Sequence, residues 1–208
     1  MATTAGGIPA AKAQLRAQIR AQRAAAAPAQ LAEREQAIAV NAGPLIAAQP
    51  PGARVACYLS APAEPGTNSL VRALIDRGLQ VIAPRVRAGQ LDWAVVELNS
   101  ESAIGSFGIR EVIGPSVGID AEPLQRATLI FLPALAIDRR GVRLGQGGGF
   151  YDRILALLPT ATAGGPTRVA INYQDELLIE LPSAPHDCKV DALVTEYAIT
   201  YIGGETKS

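Results

Sequence analysis

The chain has few of the residues that most often build disulfide frameworks, zinc sites and nucleic-acid surfaces. Its 208 residues include two cysteines, one histidine and 4% aromatic residues, and its 19 basic side chains balance 19 acidic ones. Cys57 and Cys188 lie far apart in the sequence and not in the spacing of metal ligands. This argues against a disulfide framework and against a zinc site, and it favours a reducing compartment. A neutral chain with so few rings offers no evident surface for nucleic acid, so none is predicted as a partner.

Long apolar runs without charge are also missing. No stretch reaches the roughly 20 residues that a membrane-spanning helix needs, so we expect a cytoplasmic protein that binds no membrane. Apolar residues nevertheless make up 49% of the chain, which is enough for a substantial core. The length predicts a single domain over 1–208, with a helical segment over 1–50 and an α/β core over 51–208, and we expect a monomer.

Strand and helix patterns alternate along the core. Strands are predicted over 54–60, 80–86, 128–137, 168–173 and 192–196, and helices over 69–77 and 150–158. This order predicts an α/β fold with three α/β/α layers and a mainly parallel sheet, with the N-terminal helices, over 9–27 and 31–48, packed as an extension. Residues 91–98 predict an edge hairpin, 197–202 one more strand, and 105–123 a long loop.

The first predicted helix carries a basic stripe. Lys12, Arg16 and Arg20 recur at i, i+4 and i+8, so they share one face of the helix. Such a stripe usually marks a solvated face. Here the three like charges repel each other without acidic partners nearby, so the stripe also fits an anionic ligand.

A glycine loop follows the most apolar predicted strand. Between Arg143 and Asp152, four of the five positions 145–149 are glycine, which permits positive φ angles and close approach of a ligand to the backbone. The loop opens a helix, whose free N–H groups and dipole favour an anion, and Arg143 adds a cation suited to phosphate. Neither the P-loop nor the dinucleotide fingerprint fits. The segment predicts a phosphate-handling active site, and a structural turn is the alternative.

Two carboxylates are candidates for a metal. Asp152 stands at the start of the helix, where it would either stabilise the first turn or bind the Mg²⁺ that accompanies a phosphate. Asp187 is a possible second ligand. His186, the only histidine, has no Cys, Ser or His partner in a catalytic arrangement and is interpreted as a loop residue.

These segments together resemble the 5-formyltetrahydrofolate cyclo-ligase family, in order and over nearly the whole chain. The resemblance rests on Lys12-x-x-x-Arg16, on Tyr58-Leu59 followed by Glu64 and Thr67, on Phe107 to Glu111, on the signature from Arg143 to Arg153, and on Gln174, Pro182, His186-Asp187 and Thr195-Glu196. Two departures are Phe150 in place of the first tyrosine of the signature and Val112 in place of a proline.

The resemblance implies a reaction and a set of sites. The reaction is the ATP- and Mg²⁺-dependent conversion of 5-formyltetrahydrofolate to 5,10-methenyltetrahydrofolate, with release of ADP and phosphate. The implied catalytic residues are Lys12, Arg143 and Tyr151, and the implied metal ligands are Asp152 and Asp187. The implied ATP-binding residues are Lys12, Arg16, Arg143, Leu144, Gly145, Gln146, Gly147, Gly148, Gly149, Phe150 and Tyr151. The implied folate-binding residues are Leu59, Glu64, Gln146, Gly147, Gly148, Gly149 and Phe150.

The residues leave some alternatives open. Glu64 could cap the helix over 69–77 rather than bind folate. A sugar-phosphate isomerase on a similar scaffold would use the same anion-binding loop without ATP. A catalytically silent ligand-binding or RNA-binding relative is the other alternative.

Overall fold

The computed structural model describes residues 7–105, 110–184 and 187–203. The helices are α1 (Gly7–Ala24), α2 (Pro28–Asn41), α3 (Gly43–Ala47), α4 (Asn68–Asp76) and α5 (Phe150–Leu155). The strands are β1 (Arg54–Cys57), β2 (Gln80–Arg87), β3 (Gln90–Val96), β4 (Ser102–Ile104), β5 (Arg110–Val112), β6 (Ser116–Ile119), β7 (Ala127–Pro133), β8 (Ala136–Asp138), β9 (Arg143–Leu144), β10 (Thr167–Ile171), β11 (Leu177–Leu178), β12 (Ala192–Val194) and β13 (Ile199–Tyr201).

An eight-stranded sheet in the order β13-β12-β10-β7-β1-β2-β3-β6 forms the centre of the fold. Its middle five strands, from β12 to β2, are parallel. Strand β13 at one edge, and β3 and β6 at the other side of the sheet, pair antiparallel with their neighbours. The predicted α/β class with a mainly parallel sheet is therefore confirmed.

Helices pack on both faces of this sheet. Ile38 of α2 and Leu70 of α4 pack with Phe131 of β7 on one face. Ile154 of α5 packs with Ile130 of β7 on the other face. Adjacent strand residues point to opposite faces, so β7 contributes to both layers of the core.

Helix α1 packs apart from the other helices, on a second sheet in the order β11-β8-β9. Its Ile19 is buried against Leu135, Leu144 and Leu181. Strand β8 follows directly after β7, so this small sheet lies beyond the carboxyl end of the central strand. The packing brings α1 to the edge of the large sheet where ligands usually bind.

Two predictions about elements were wrong. The predicted loop over 105–123 contains β5 and β6, which pair with β4 and β3. The helix predicted over 31–48 is divided into α2 and α3 at Ala42. The strand predicted over 128–137 ends at Pro133, because proline lacks an N–H donor. None of the helices in the described part of the chain is long and apolar enough to cross a membrane.

Candidate active site

A cavity of about 1430 Å³ opens at the carboxyl ends of the central strands. Leu59 after β1, Val86 near the end of β2 and Pro133 at the end of β7 all line it. Pockets for one small ligand typically hold about 300–1,000 Å³, so this cavity has room for two. Its position matches the rule that open α/β sheets bind ligands beyond the carboxyl ends of their strands.

Every predicted site residue lines this one cavity. They are Lys12, Arg16, Leu59, Glu64, all residues from Arg143 to Asp152, and Asp187. His186 and residues 107–109, from the segment Phe107 to Glu111, lie outside the described residues. Gln174 does not line the cavity; its side chain accepts a hydrogen bond from Thr195.

The basic stripe of α1 faces the glycine loop, with Lys12 and Arg16 partly buried and Arg20 exposed. Lys12 Nζ lies 2.6 Å from Asp187 Oδ2. Arg16 Nε donates to the carbonyl oxygen of Gly145 at 2.8 Å, and Arg20 Nη2 donates to that of Gln146 at 3.0 Å. Both arginines bind backbone carbonyls here, so their charge stays available to an anion beside the loop.

Arg143 is buried and holds the two ends of the glycine loop together. Its side chain is only 3% exposed. Nη1 donates to the carbonyl oxygen of Pro133 at 3.1 Å, and Nη2 donates to Asp152 Oδ1 at 3.0 Å. A Cβ added at Gly145 would lie 2.8 Å from Arg143 Nη1, which explains a glycine there. The geometry makes Arg143 a fixed structural cation at the cavity wall.

The end of the loop also needs glycine. Gly149 is the N-cap of α5 and adopts the left-handed conformation, with φ +64°. Arg153 Nη1 donates to the carbonyl oxygen of Gly148 at 3.0 Å. Three arginines, from α1 and α5, thus bind the carbonyls of Gly145, Gln146 and Gly148, and they leave the N–H groups of the loop for a ligand.

Asp152 and Asp187 line the same cavity, and each already has a cation beside it. Asp152 pairs with Arg143, and Asp187 pairs with Lys12 and accepts a bond from the N–H of Ala184 at 2.7 Å. Burial raises the pKa of the Cys188 thiol, and the charges of both aspartates raise it further.

The donor set of these carboxylates suits Mg²⁺. The described residues contain no cluster of three or more His, Cys, Asp or Glu side chains that could hold a metal by themselves. Mg²⁺ commonly takes one or two carboxylates and completes its shell with phosphate oxygens and water. Asp152 and Asp187 therefore fit Mg²⁺ that arrives with a phosphate ligand.

One part of the cavity wall is mostly apolar. Tyr58, Leu59, Val86, Leu91 and Leu135 line it. Burial raises the pKa of the Tyr151 phenol well above its ordinary value of 10.0, so the phenol stays protonated.

Glu64 stands beside this wall. Its carboxylate accepts bonds from the N–H of Ala61 at 3.0 Å and from Gln146 Nε2 at 3.3 Å. Glu35, not Glu64, accepts the N–H of Ser69 at the start of α4, so the capping alternative for Glu64 is wrong.

Sequence reasoning missed several residues that line the cavity: Arg20, Arg23, Arg85, Arg153 and the loop from Ala61 to Ala63. Arg20 could have been included from its place on the stripe, and Arg153 from the end of the signature. Arg85 carries no such signal, because it lies in a strand and pairs with Asp92.

Comparisons with known proteins agree with one another. The model of the 5-formyltetrahydrofolate cyclo-ligase family matches residues 8–196. A 5-formyltetrahydrofolate cyclo-ligase of Mycolicibacterium smegmatis is 37% identical over 150 residues, which are 69% of this chain and 74% of the relative. One of Haemophilus influenzae is 30% identical over 188 residues, 88% of this chain and 90% of the relative.

Solved structures share the fold. The NMR structure of Aquifex aeolicus 5,10-methenyltetrahydrofolate synthetase superposes with a TM-score of 0.71 at 23% identity and covers 95% of both chains. A 5,10-methenyltetrahydrofolate synthetase from Mycoplasma pneumoniae superposes with a TM-score of 0.67 at 19% identity, over 89% of this chain and 98% of that one.

Proposed function

Because the chain belongs to the 5-formyltetrahydrofolate cyclo-ligase family, a family of ligases, we propose that it converts 5-formyltetrahydrofolate to 5,10-methenyltetrahydrofolate. The reaction consumes ATP with Mg²⁺ and releases ADP and phosphate. The cytoplasmic location and the monomeric state remain predictions from the sequence.

One observation carries the proposal. The glycine loop, the cations of α1, Leu59 and Glu64 all line a single cavity of about 1430 Å³, and the Gln146 side chain of the loop contacts both Arg20 and Glu64. A nucleotide phosphate on the basic side and a pterin on the apolar side would therefore meet at the loop. A two-substrate transfer needs this proximity, which replaces a bimolecular encounter by a fixed geometry.

The chemistry explains why ATP is needed. An N-formyl group is an amide, so its carbon is a poor electrophile and its oxygen a poor leaving group. Transfer of the γ-phosphoryl group to the formyl oxygen makes that oxygen a leaving group. Nitrogen 10 of the folate then attacks the formyl carbon, the ring closes, and phosphate departs. The protein must orient the γ-phosphate, spread its charge and hold the formyl oxygen in line.

Lys12 and Arg16 are proposed to bind the triphosphate, and the N–H groups of the glycine loop to cradle it. Their positions support this, because both side chains reach the loop or its neighbour Asp187 within 2.8 Å. Arg143 is proposed to act from behind the loop, where it fixes Asp152. Mg²⁺, when bound, would neutralise phosphate charge, and Asp152 and Asp187 are the carboxylates proposed to hold it.

Leu59, Glu64 and Tyr151 are proposed to bind the folate. Glu64 offers a carboxylate to the N–H donors of a pterin ring, and Leu59 offers an apolar surface. A Tyr151 phenol that stays protonated can donate a hydrogen bond to an oxygen of the reacting group but cannot accept a proton from it. Phe150 and the residues from Gln146 to Gly149 lie between the two substrates in this arrangement.

The decisive experiment follows the absorbance of the methenyl product with 5-formyltetrahydrofolate as substrate. We expect product growth with ATP and Mg²⁺ and none when ATP is replaced by ADP, when Mg²⁺ is chelated, or when either substrate is omitted. Stoichiometric ADP release should accompany each turnover. Product that forms equally without ATP would refute the proposal, and no product under any condition would favour the ligand-binding alternative.

A further inference from the structure

Arg23, in the last turn of α1, forms an ion pair inside the protein rather than a contact with the glycine loop. Its Nε donates to Glu176 Oε1 at 2.5 Å, and its Nη2 donates to Glu176 Oε2 at 2.8 Å. Both side chains are only 4% exposed. Nη2 also donates to the carbonyl oxygen of Ala134 at 2.7 Å. The last turn of α1 is thus bound to the body of the protein by a bidentate ion pair.

Glu176 is itself held in place. Its Oε2 accepts bonds from Asn172 Nδ2 at 2.9 Å and from the N–H of Tyr173 at 3.0 Å. Asn172 directly follows β10, and Ala134 directly follows β7. Arg23 therefore connects α1 to the carboxyl ends of two central strands, at the edge where the cavity opens.

The connection restricts both the rotation and the axial position of α1. Successive helical residues turn by about 100° and rise by about 1.5 Å, so a small slip or rotation would move every residue of the basic stripe. Lys12 and Arg16 reach their partners at 2.6 and 2.8 Å, which leaves little tolerance. Ile19 anchors the middle of the helix by apolar packing, which fixes rotation less sharply than a bidentate pair does.

From this geometry we propose that Arg23, through Glu176, is a positioning residue for nucleotide binding. It sets α1 so that Lys12, Arg16 and Arg20 face the triphosphate at the glycine loop. The inference rests on the proposed function, because it names how that same site is aligned.

The test separates positioning from a direct effect of charge. Glu176→Ala keeps the Arg23 charge at the cavity wall but removes its anchor. If Arg23 acted by its charge, this variant would bind a nonhydrolysable ATP analogue as tightly as the wild type or more tightly. Positioning predicts the opposite, a dissociation constant raised roughly tenfold to hundredfold. Arg23→Met should give a similar rise, with the KM for 5-formyltetrahydrofolate changed far less than the KM for ATP.

A second variant keeps the test valid if a lone buried charge prevents folding. The double variant Arg23→Met/Glu176→Met leaves no unpaired charge, so its melting temperature should exceed that of either single variant. Its affinity for the ATP analogue should stay low, because two methionine side chains do not fix the rotation of α1 about its axis. Wild-type affinity in the double variant would overturn the proposal.

Two controls report on stability and on loss of an arginine elsewhere. Ile38→Val removes a methylene of α2 from the core. Arg54→Met removes an arginine at the amino end of β1, away from the cavity, where Nη1 donates to the carbonyl oxygen of Pro123. Both should leave the affinity for the ATP analogue unchanged. If the proposed function is wrong, the wild-type protein will form no product with ATP. If only this inference is wrong, the wild type will form product and Glu176→Ala will bind the ATP analogue with normal affinity.

Discussion

Lys12 and Asp187 are 175 positions apart in the chain, yet their side chains form an ion pair with an N–O distance of 2.6 Å. Both side chains are largely buried, at 12% and 8% exposed. The pair joins α1 to the segment before β12, at the wall of the cavity. It also joins a cation proposed for ATP to a carboxylate proposed for Mg²⁺. Lys12 would therefore bind ATP and Asp187 would bind Mg²⁺, so the two ligands would contact the two members of one ion pair.

Lys12→Met should weaken ATP binding. A hydrogen bond to a charged group contributes about 1.5–3 kcal/mol, so we expect the KM for ATP to rise by roughly tenfold to hundredfold. The KM for 5-formyltetrahydrofolate should change much less, because the apolar wall is untouched. Steady-state kinetics with each substrate varied in turn gives both values. Lys189→Met is the matched control: Lys189 is exposed and does not line the cavity. Equal KM values for ATP in Lys12→Met and the wild type would remove Lys12 from the site.

Asp152→Asn and Asp187→Asn should each raise the Mg²⁺ concentration needed for half-maximal activity. Loss of one anionic ligand should cost about 1.4 kcal/mol or more of metal binding, which is about tenfold. The measurement is a Mg²⁺ titration at saturating ATP, with the exposed Asp175→Asn as control. A variant at position 152 that keeps full turnover at limiting Mg²⁺ would exclude Asp152 as a ligand.

Arg143→Lys should not rescue the loss caused by Arg143→Met. Arg143 uses two nitrogens to reach Pro133 and Asp152 at once, and a single ammonium lacks that fork. We expect both variants to raise the KM for ATP and the Mg²⁺ requirement together, because Asp152 loses its fixed position. Kinetics over a grid of ATP and Mg²⁺ concentrations checks this. Wild-type dependence on both in Arg143→Lys would show that only charge matters at this position.

The sequence predicted the parallel sheet, the basic stripe and the glycine loop because each depends on local pattern. It did not predict what the stripe contacts. The bonds from Arg16 to Gly145 and from Arg23 to Glu176 depend on how α1 packs on β8 and β9, and that packing is set by contacts distant in sequence. The Arg23–Glu176 ion pair could not be predicted either, because Glu176 lies in a short turn and no pattern in the sequence links it to α1.

The missed strands β5 and β6 have a different cause. Both are short, and β6 lies at the edge of the large sheet with no fully buried residue. Strand patterns are recognised by alternation of buried apolar and exposed polar residues, and four residues that include Gly118 show none. Glycine and proline therefore dominated the pattern and predicted a loop. The partner of Ser69 was likewise unpredictable, since Glu35 reaches it from another helix.

Gly149→Ala should damage ATP binding, whereas Gly164→Ala should only destabilise the protein. Both glycines adopt the left-handed conformation, with φ of +64° and +84°, where an L residue costs about 1–2 kcal/mol. A Cβ at Gly164 would meet nothing within 4 Å, and one at Gly149 would lie 3.2 Å from Arg153 Nη1. Thermal melts should show similar losses, while only Gly149→Ala should raise the KM for ATP. An equal KM in both variants would mean that the end of the loop does not contact the nucleotide.

Stability should fall as the pH rises above about 9. Burial raises the pKa of the Cys57 thiol from its ordinary value of 9.0 and the pKa values of the Tyr58 and Tyr151 phenols from 10.0. The unfolded chain releases these protons at the ordinary values and the folded chain retains them, so the stabilisation is complete below pH 9 and is lost progressively above it. Urea denaturation at pH 7, 9 and 10.5 measures the trend. Tyr58→Phe should flatten the decline, although it also removes the bond to the carbonyl oxygen of Pro65, and the exposed Tyr197→Phe should not. An unfolding free energy that is constant from pH 8.5 to 10.5 would contradict the raised pKa values of these three groups in the folded protein.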